Sequence, residues 1–232
     1  MSVTTMIGSA RLNPDMNVDL VWATPNAEEM IVKMARVSAP KNQDNMDTAP
    51  RLLQYLIKHK HWSPFEMGNM CVEINTTRAI SPQILRHRSF SFQEFSQRYA
   101  DITDVGSITM PHLRSQDYKN RQNSNDDLKE RLGGDKLAHY YRRMSNILED
   151  SKHLYQEMIS EGVAKESARF ILPLATPTRL YMNGTLRSWI HYLQLRCDPG
   201  TQLEHREIAE GIKGIFCKEF PIIGEAVFTA DQ

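Results

Sequence analysis

Between Asp135 and Glu161 the chain runs without proline or glycine, until Gly162 stops it. Across that stretch Leu137, Tyr140, Tyr141, Met144, Ile147, Leu148, Leu154 and Met158 recur at helical spacing. One long helix of this kind dominates any fold the chain can adopt, and its apolar stripe reads as core. The strand signals around it come without regular β-α-β alternation, which favours α+β over a doubly wound sheet. Residues 1–232 contain no internal repeat, low-complexity stretch or convincing linker. The expectation is therefore a single α+β domain, a mixed or antiparallel sheet flanked by helices including one long helix.

The other elements follow from shorter signals. Val18 to Ala23 is β-type, and Thr24-Pro25 resembles an N-cap with proline at N1. The helix it would start carries Met30, Ile31, Met34 and Val37 on one face. Leu52, Leu53, Leu56 and Ile57 predict a second helix closing at Lys58 to Lys60. Ser63-Pro64-Phe65-Glu66 has the S-x-x-E form of a capping box. Met70, Val72 and Ile74 alternate with Cys71, Glu73 and Asn75, the periodicity of a strand. Ser81-Pro82 starts a short helix leading into Arg86, and residues 101–126 read as a long polar loop. Residues 183–197 and 201–219 predict two further helices, separated by Pro199-Gly200.

Composition excludes several function classes. Lys plus Arg and Asp plus Glu are 28 each, so the chain lacks the global basic field of a general nucleic-acid binder. No apolar run approaches a membrane span, and Met1-Ser2-Val3-Thr4-Thr5 lacks the start of a signal peptide. Cys71, Cys197 and Cys217 are odd in number and widely spaced, giving neither a disulfide framework nor a zinc pattern. His59-Lys60-His61 has no convergent acids or cysteines, so no metal is expected. A reducing cytoplasm is the simplest location.

Against this neutral background, Arg86-His87-Arg88-Ser89-Phe90-Ser91-Phe92-Gln93-Glu94-Phe95-Ser96-Gln97-Arg98 packs three arginines and a histidine into 13 residues. Guanidinium is the side chain best matched to phosphate, because its planar fork donates parallel charge-assisted hydrogen bonds. Ser91 and Ser96 add small hydroxyls, and Phe90, Phe92 and Phe95 suit packing beside a flat ring. The bland alternative is a solvated segment whose arginines pair with Glu94.

The spacing R-H-R-x-x-S-x-x-x-x-S-x-R resembles the signature of the flavin-dependent thymidylate synthases (ThyX). Six fixed residues in one window arise by chance on the order of 10⁻⁸ per window. Ala35-Arg36-Val37-Ser38, His61-Trp62-Ser63-Pro64-Phe65-Glu66, Arg169-Phe170-Ile171-Leu172-Pro173 and Arg187-Ser188 through Leu195-Arg196 are similar to other segments of that family, in the same order. The resemblance implies conversion of dUMP to dTMP, with 5,10-methylenetetrahydrofolate as carbon donor and NADPH as reductant through FAD. It also implies a homotetramer whose subunits share each active site.

By resemblance the catalytic candidates are Arg196, His61 and Ser96. Arg196 would stabilise the ionised pyrimidine edge that makes C5 nucleophilic. His61 would serve positioning or proton traffic. For Ser96 a binding role is preferred, since no general base is evident beside it. Gln83, Arg86, Glu94, Ser96, Gln97, Arg98, Arg169 and Arg196 match the nucleotide site. Ser63, Arg86, His87, Arg88, Glu94, Thr185, Arg187 and His191 match the flavin site, with Ser63 supplied by a neighbouring subunit. Arg187 and His191 fall on one helix face at i, i+4. Thr185 and His191 stand where several members carry asparagine, and Pro199-Gly200 where some place histidine. Cys197 beside Arg196 reads as a small buried thiol. Two other classes predict different behaviour: an RNA-binding module that kept the scaffold, with steeply salt-dependent affinity, and a purely structural subunit.

Overall fold

The computed structural model describes residues 16–228; the reading of Met1 to Thr5 lies outside them. Strands β1 (Asn17–Ala23), β2 (Asn69–Thr77), β3 (Ser91–Glu94) and β6 (Pro177–Thr185) form an antiparallel sheet in the order β1-β2-β6-β3. Two short strands, β4 (Ser115–Gln116) and β5 (Ser124–Asn125), pair separately. The helices are α1 (Ala27–Ala35), α2 (Ala49–Lys58), α3 (Ser81–Ile84), α4 (Leu128–Leu132), α5 (Gly134–Ser160), α6 (Lys165–Ala168), α7 (Leu186–Arg196), α8 (Leu203–Glu219) and α9 (Pro221–Phe228). The fold is thus the mixed α+β domain with an antiparallel sheet and one long helix that the sequence predicts.

The sheet alternation decides where the core lies. Met70, Val72 and Ile74 of β2 face the same side as their partners Gly184, Met182 and Leu180 of β6, and every apolar side chain among them is buried. Against that face pack Leu53 and Leu56 of α2, Trp189, Ile190 and Leu193 of α7, Ile208, Ile212 and Phe216 of α8, and Ile223 of α9. The indole Nε1 of Trp189 donates to the Met70 carbonyl at 2.9 Å, pinning α7 across β2. Strand β6 runs straight into α7, whose N-terminus is capped by the Thr185 hydroxyl accepting from the Ser188 N–H. The arginines of α7 are therefore carried on a rigid strand-to-helix junction.

Several local expectations need correction. Thr24 does not cap α1, because its backbone and hydroxyl are engaged with Asn69. Asn26 takes the N-cap position instead, with φ 51°, and Met30 donates to its carbonyl. The buried face of α1 is Ala27, Ile31 and Val32, while Met34 and Val37 are exposed. Ser63–Glu66 is a 3₁₀ turn without a capping box, since the Glu66 carboxylate binds Arg187 rather than turning back. Residues 183–185 belong to β6, so the helix expected from residue 183 starts at Leu186. Gly184 is required there: a Cβ would sit 2.4 Å from Phe90 Cδ1. The 101–126 segment holds β4, β5 and a 3₁₀ turn, Ile102–Asp104, with its own capping box at Asp101.

The stripe of α5 is not core along its length. Tyr155 is the one fully buried side chain of that helix, in a small cluster with Ile102 and Ala168, whereas Tyr140, Ile147 and Leu154 are exposed. A 27-residue helix is about 40 Å long.

Candidate active site

The signature segment folds as a turn after α3 that feeds β3. Phe90 anchors the turn: its ring packs on Gly184, 4.7 Å from Trp189 and 5.8 Å from Tyr192. It is a core residue, not a platform for a ligand ring, and Phe92 also packs against the main core. With Phe90 inside, His87 points inward and Arg86 and Arg88 stay exposed on either side.

His87 meets α7. Arg196 Nε donates to His87 Nε2 at 2.9 Å, across 109 residues of sequence. Burial, then the Arg196 charge, pushes His87 down to about 4, so the ring is neutral and free to accept. This contact orients the Arg196 guanidinium. Among the described residues no carboxylate pairs with Arg196, Arg86, Arg88 or Arg169. Nor does Glu94 neutralise the motif arginines. Its Oε1 is held by Arg78 at 2.6 Å, Ser81 at 2.5 Å and Thr178 at 3.0 Å.

Behind His87 lies a chain of polar side chains of which the sequence reading singled out Gln83 alone. The Tyr192 ring stands 4.8 Å from His87. Its hydroxyl lies 3.1 Å from His205 Nε2, and His205 Nδ1 lies 3.3 Å from Gln83 Oε1. Gln83 Nε2 donates to Gln202 at 2.6 Å, Gln202 donates to Glu204 at 3.0 Å, and Glu204 pairs with Arg114 through both oxygens. His205 is buried on an apolar face of α8, where a lone histidine resembles any other core position. Arg114 comes from the segment read as loop.

The remaining candidates form two other groups. Ser96, Arg98 and Arg169 lie toward α6: Arg98 pairs with Glu166 at 3.3 Å, and Lys165 donates to the Tyr99 carbonyl. Gln97 is turned inward, its buried Nε2 without a hydrogen-bond partner. His61 and Ser63 are exposed beside the N-terminal half of α7, where Arg187 binds Glu66. There His191 meets Trp62 edge-on at 4.9 Å, and burial, then Arg187, lowers its pKa. Among the described residues no side-chain hydrogen bond or ion pair joins these two groups to the His87–Arg196 pair. Cys197 is half-buried, and burial pushes its thiol up to about 12, which suits an inert thiol rather than a nucleophile.

Comparison with known proteins decides the family. The model of the family described as thymidylate synthase complementing protein matches residues 19–222. The chain belongs to that family. The chain is 51% identical over 209 residues to a probable flavin-dependent thymidylate synthase of Paramecium bursaria Chlorella virus 1, covering 90% of this chain and 94% of the relative. It is 52% identical over 214 residues to the flavin-dependent thymidylate synthase of Synechocystis sp., covering 92% and 94%. In structure it is similar to a UMP/dUMP methylase, PolB, of Streptomyces cacaoi bound with 5-Br dUMP, at TM-score 0.77 and 28% identity, with 93% and 95% covered. This member of the thymidylate synthase complementing protein family is therefore an enzyme of the methyltransferase kind. Among its described residues no helix is long and apolar enough to cross a membrane.

Proposed function

We propose that the protein methylates dUMP to dTMP, taking the carbon from 5,10-methylenetetrahydrofolate and reducing equivalents from NADPH through FAD. The observation that carries this reading is the Arg196 guanidinium held through Nε by neutral His87. Its terminal nitrogens are thereby left to face a ligand without competition from a carboxylate. Such a fixed, planar cation favours the ionised edge of a pyrimidine, and the charge it relieves is the charge that makes C5 nucleophilic.

The residues also fit a flavin. Arg86 and Arg88, exposed and without acidic partners among the described residues, suit the pyrophosphate of FAD. Ser63, Arg187 and His191, with His87, Glu94 and Thr185, complete the proposed cradle. When bound, FAD supplies the hydride chemistry that reduces the transferred carbon. The chain's own part is to bind, orient and polarise. Gln83, Arg86, Glu94, Ser96, Gln97, Arg98, Arg169 and Arg196 hold the nucleotide, with Ser96 in a binding role. His61 serves positioning or proton traffic near the folate side. No metal enters the scheme.

Two facts support a homotetramer with shared sites. Among the described residues the Arg98–Arg169 and His61–Ser63 groups share no side-chain hydrogen bond or ion pair with the His87–Arg196 pair, as expected if copies of the chain complete the constellation. The exposed Tyr140, Ile147 and Leu154 of α5 offer an apolar surface for such copies. The reading is tested by anaerobic spectroscopy of the FAD-loaded protein. NADPH should bleach the flavin absorbance, and its return should require methylenetetrahydrofolate and dUMP together. A flavin that NADPH leaves oxidised, or a protein that binds no FAD, would overturn it.

A further inference from the structure

The polar chain behind the site has a fixed sense, readable from one end to the other. Arg114 can only donate and Glu204 only accept; their ion pair sets Nη1–Oε1 at 2.7 Å and Nη2–Oε2 at 3.0 Å. Gln202 must therefore turn its amino group to Glu204, leaving its carbonyl oxygen for Gln83. The Gln83 amino group donates to that oxygen, so Gln83 Oε1 faces His205. An acceptor at 3.3 Å requires a proton on His205 Nδ1. His205 Nε2 is then bare and accepts a hydrogen bond from the Tyr192 hydroxyl.

We infer that His205 is a positioning residue: its Nδ1–H fixes the amide of Gln83 so that the free N–H of Gln83 is presented to an acceptor atom of the bound nucleotide. This rests on the reading of Gln83 as a nucleotide contact. His205 is wholly buried, and burial, followed by the charge of Arg196, holds it down to about 3, so it stays neutral and keeps one tautomer through the working range. Were the amide to flip, Gln83 would show a carbonyl oxygen to the nucleotide, and two donors would face each other at His205 and two acceptors at Gln202. Gln202 secures the same amide from the other side and Tyr192 secures the tautomer.

The test uses two isosteric halves of imidazole. His205→Asn keeps a donor where Nδ1 lies and gives up the acceptor for Tyr192. His205→Gln keeps a group near Nε2 and gives up the donor to Gln83. Binding of dUMP to the FAD-loaded variants is measured by titration calorimetry, after thermal melting has established that each is folded. His205→Gln should weaken binding about tenfold, the scale of one lost hydrogen bond with its partner left unpaired. Its kcat at saturating dUMP should hold, and His205→Asn should recover most of the affinity. In a Gln83→Ala background, His205→Gln should cost nothing further. Equal losses in His205→Asn and His205→Gln would reduce His205 to packing and overturn the inference, as would undiminished binding in His205→Gln. Undiminished binding in Gln83→Ala would instead overturn the reading of Gln83 on which the inference stands.

Discussion

Arg196→Lys separates charge from geometry at the centre of the site. Arginine spends Nε on His87 at 2.9 Å and still has two terminal nitrogens to offer. Lysine has one ammonium, which either replaces Nε at His87 or faces the pyrimidine, and in neither place forms a planar fork. Removing such a donor from a water-poor site costs roughly 2–4 kcal/mol of transition-state stabilisation. At about 1.36 kcal/mol per decade, kcat/KM for dUMP should fall roughly 30- to 900-fold. Lysine keeps the positive charge, so the loss reads the missing planar fork. Initial rates of dTMP formation measure this directly, with FAD content and melting temperature as controls. A kcat/KM close to wild type, in folded protein with its usual flavin, would refute the assignment of Arg196.

Other expectations rest on single contacts. Gly184→Ala forces a Cβ to within 2.4 Å of the Phe90 ring, which Trp189 and Tyr192 box in. This should cost about 1–3 kcal/mol, lowering Tm by roughly 2–12 °C in a differential scan. His87 and His205 both have folded pKa values below the ordinary 6.5, at about 4 and about 3. The unfolded chain therefore takes up protons first, and Tm should fall as pH drops from 6.5 toward 4. That slope should flatten in His205→Asn, as followed by melting across the pH range. Cys197→Ala should leave kcat unchanged, because a thiol pushed up to about 12 is not a thiolate at working pH; a large loss of rate would return Cys197 to the chemistry.

What the sequence made legible follows the strength of its local signals. Met70, Val72 and Ile74 alternate cleanly and form the central strand β2. The uninterrupted stretch from Asp135 gives α5 almost to its ends. Strand β6, the partner of β2, is hidden because its end, Asn183 to Thr185, runs straight into α7 and reads as part of that helix. The reason for Gly184 is the Phe90 ring, 94 residues earlier in the chain. Periodicity revealed the stripe of α5 but not that Tyr140, Ile147 and Leu154 stay exposed, since a buried and an exposed stripe have the same spacing. The signature supplied the site's arginines, yet nothing in its spacing tells that His87 meets Arg196 across 109 residues. His205 and Arg114 were missed for the same reason: their meaning lies in partners brought by tertiary packing.

The central claim is that this chain carries out flavin-dependent methylation of dUMP at the arginine site. It is met most directly by tritium release from dUMP labelled at C5, with NADPH and methylenetetrahydrofolate, before and after the flavin is stripped. The account predicts release with dTMP formed, lost on stripping and restored by FAD. Release that persists without flavin, or none from folded, FAD-loaded protein, would contradict it.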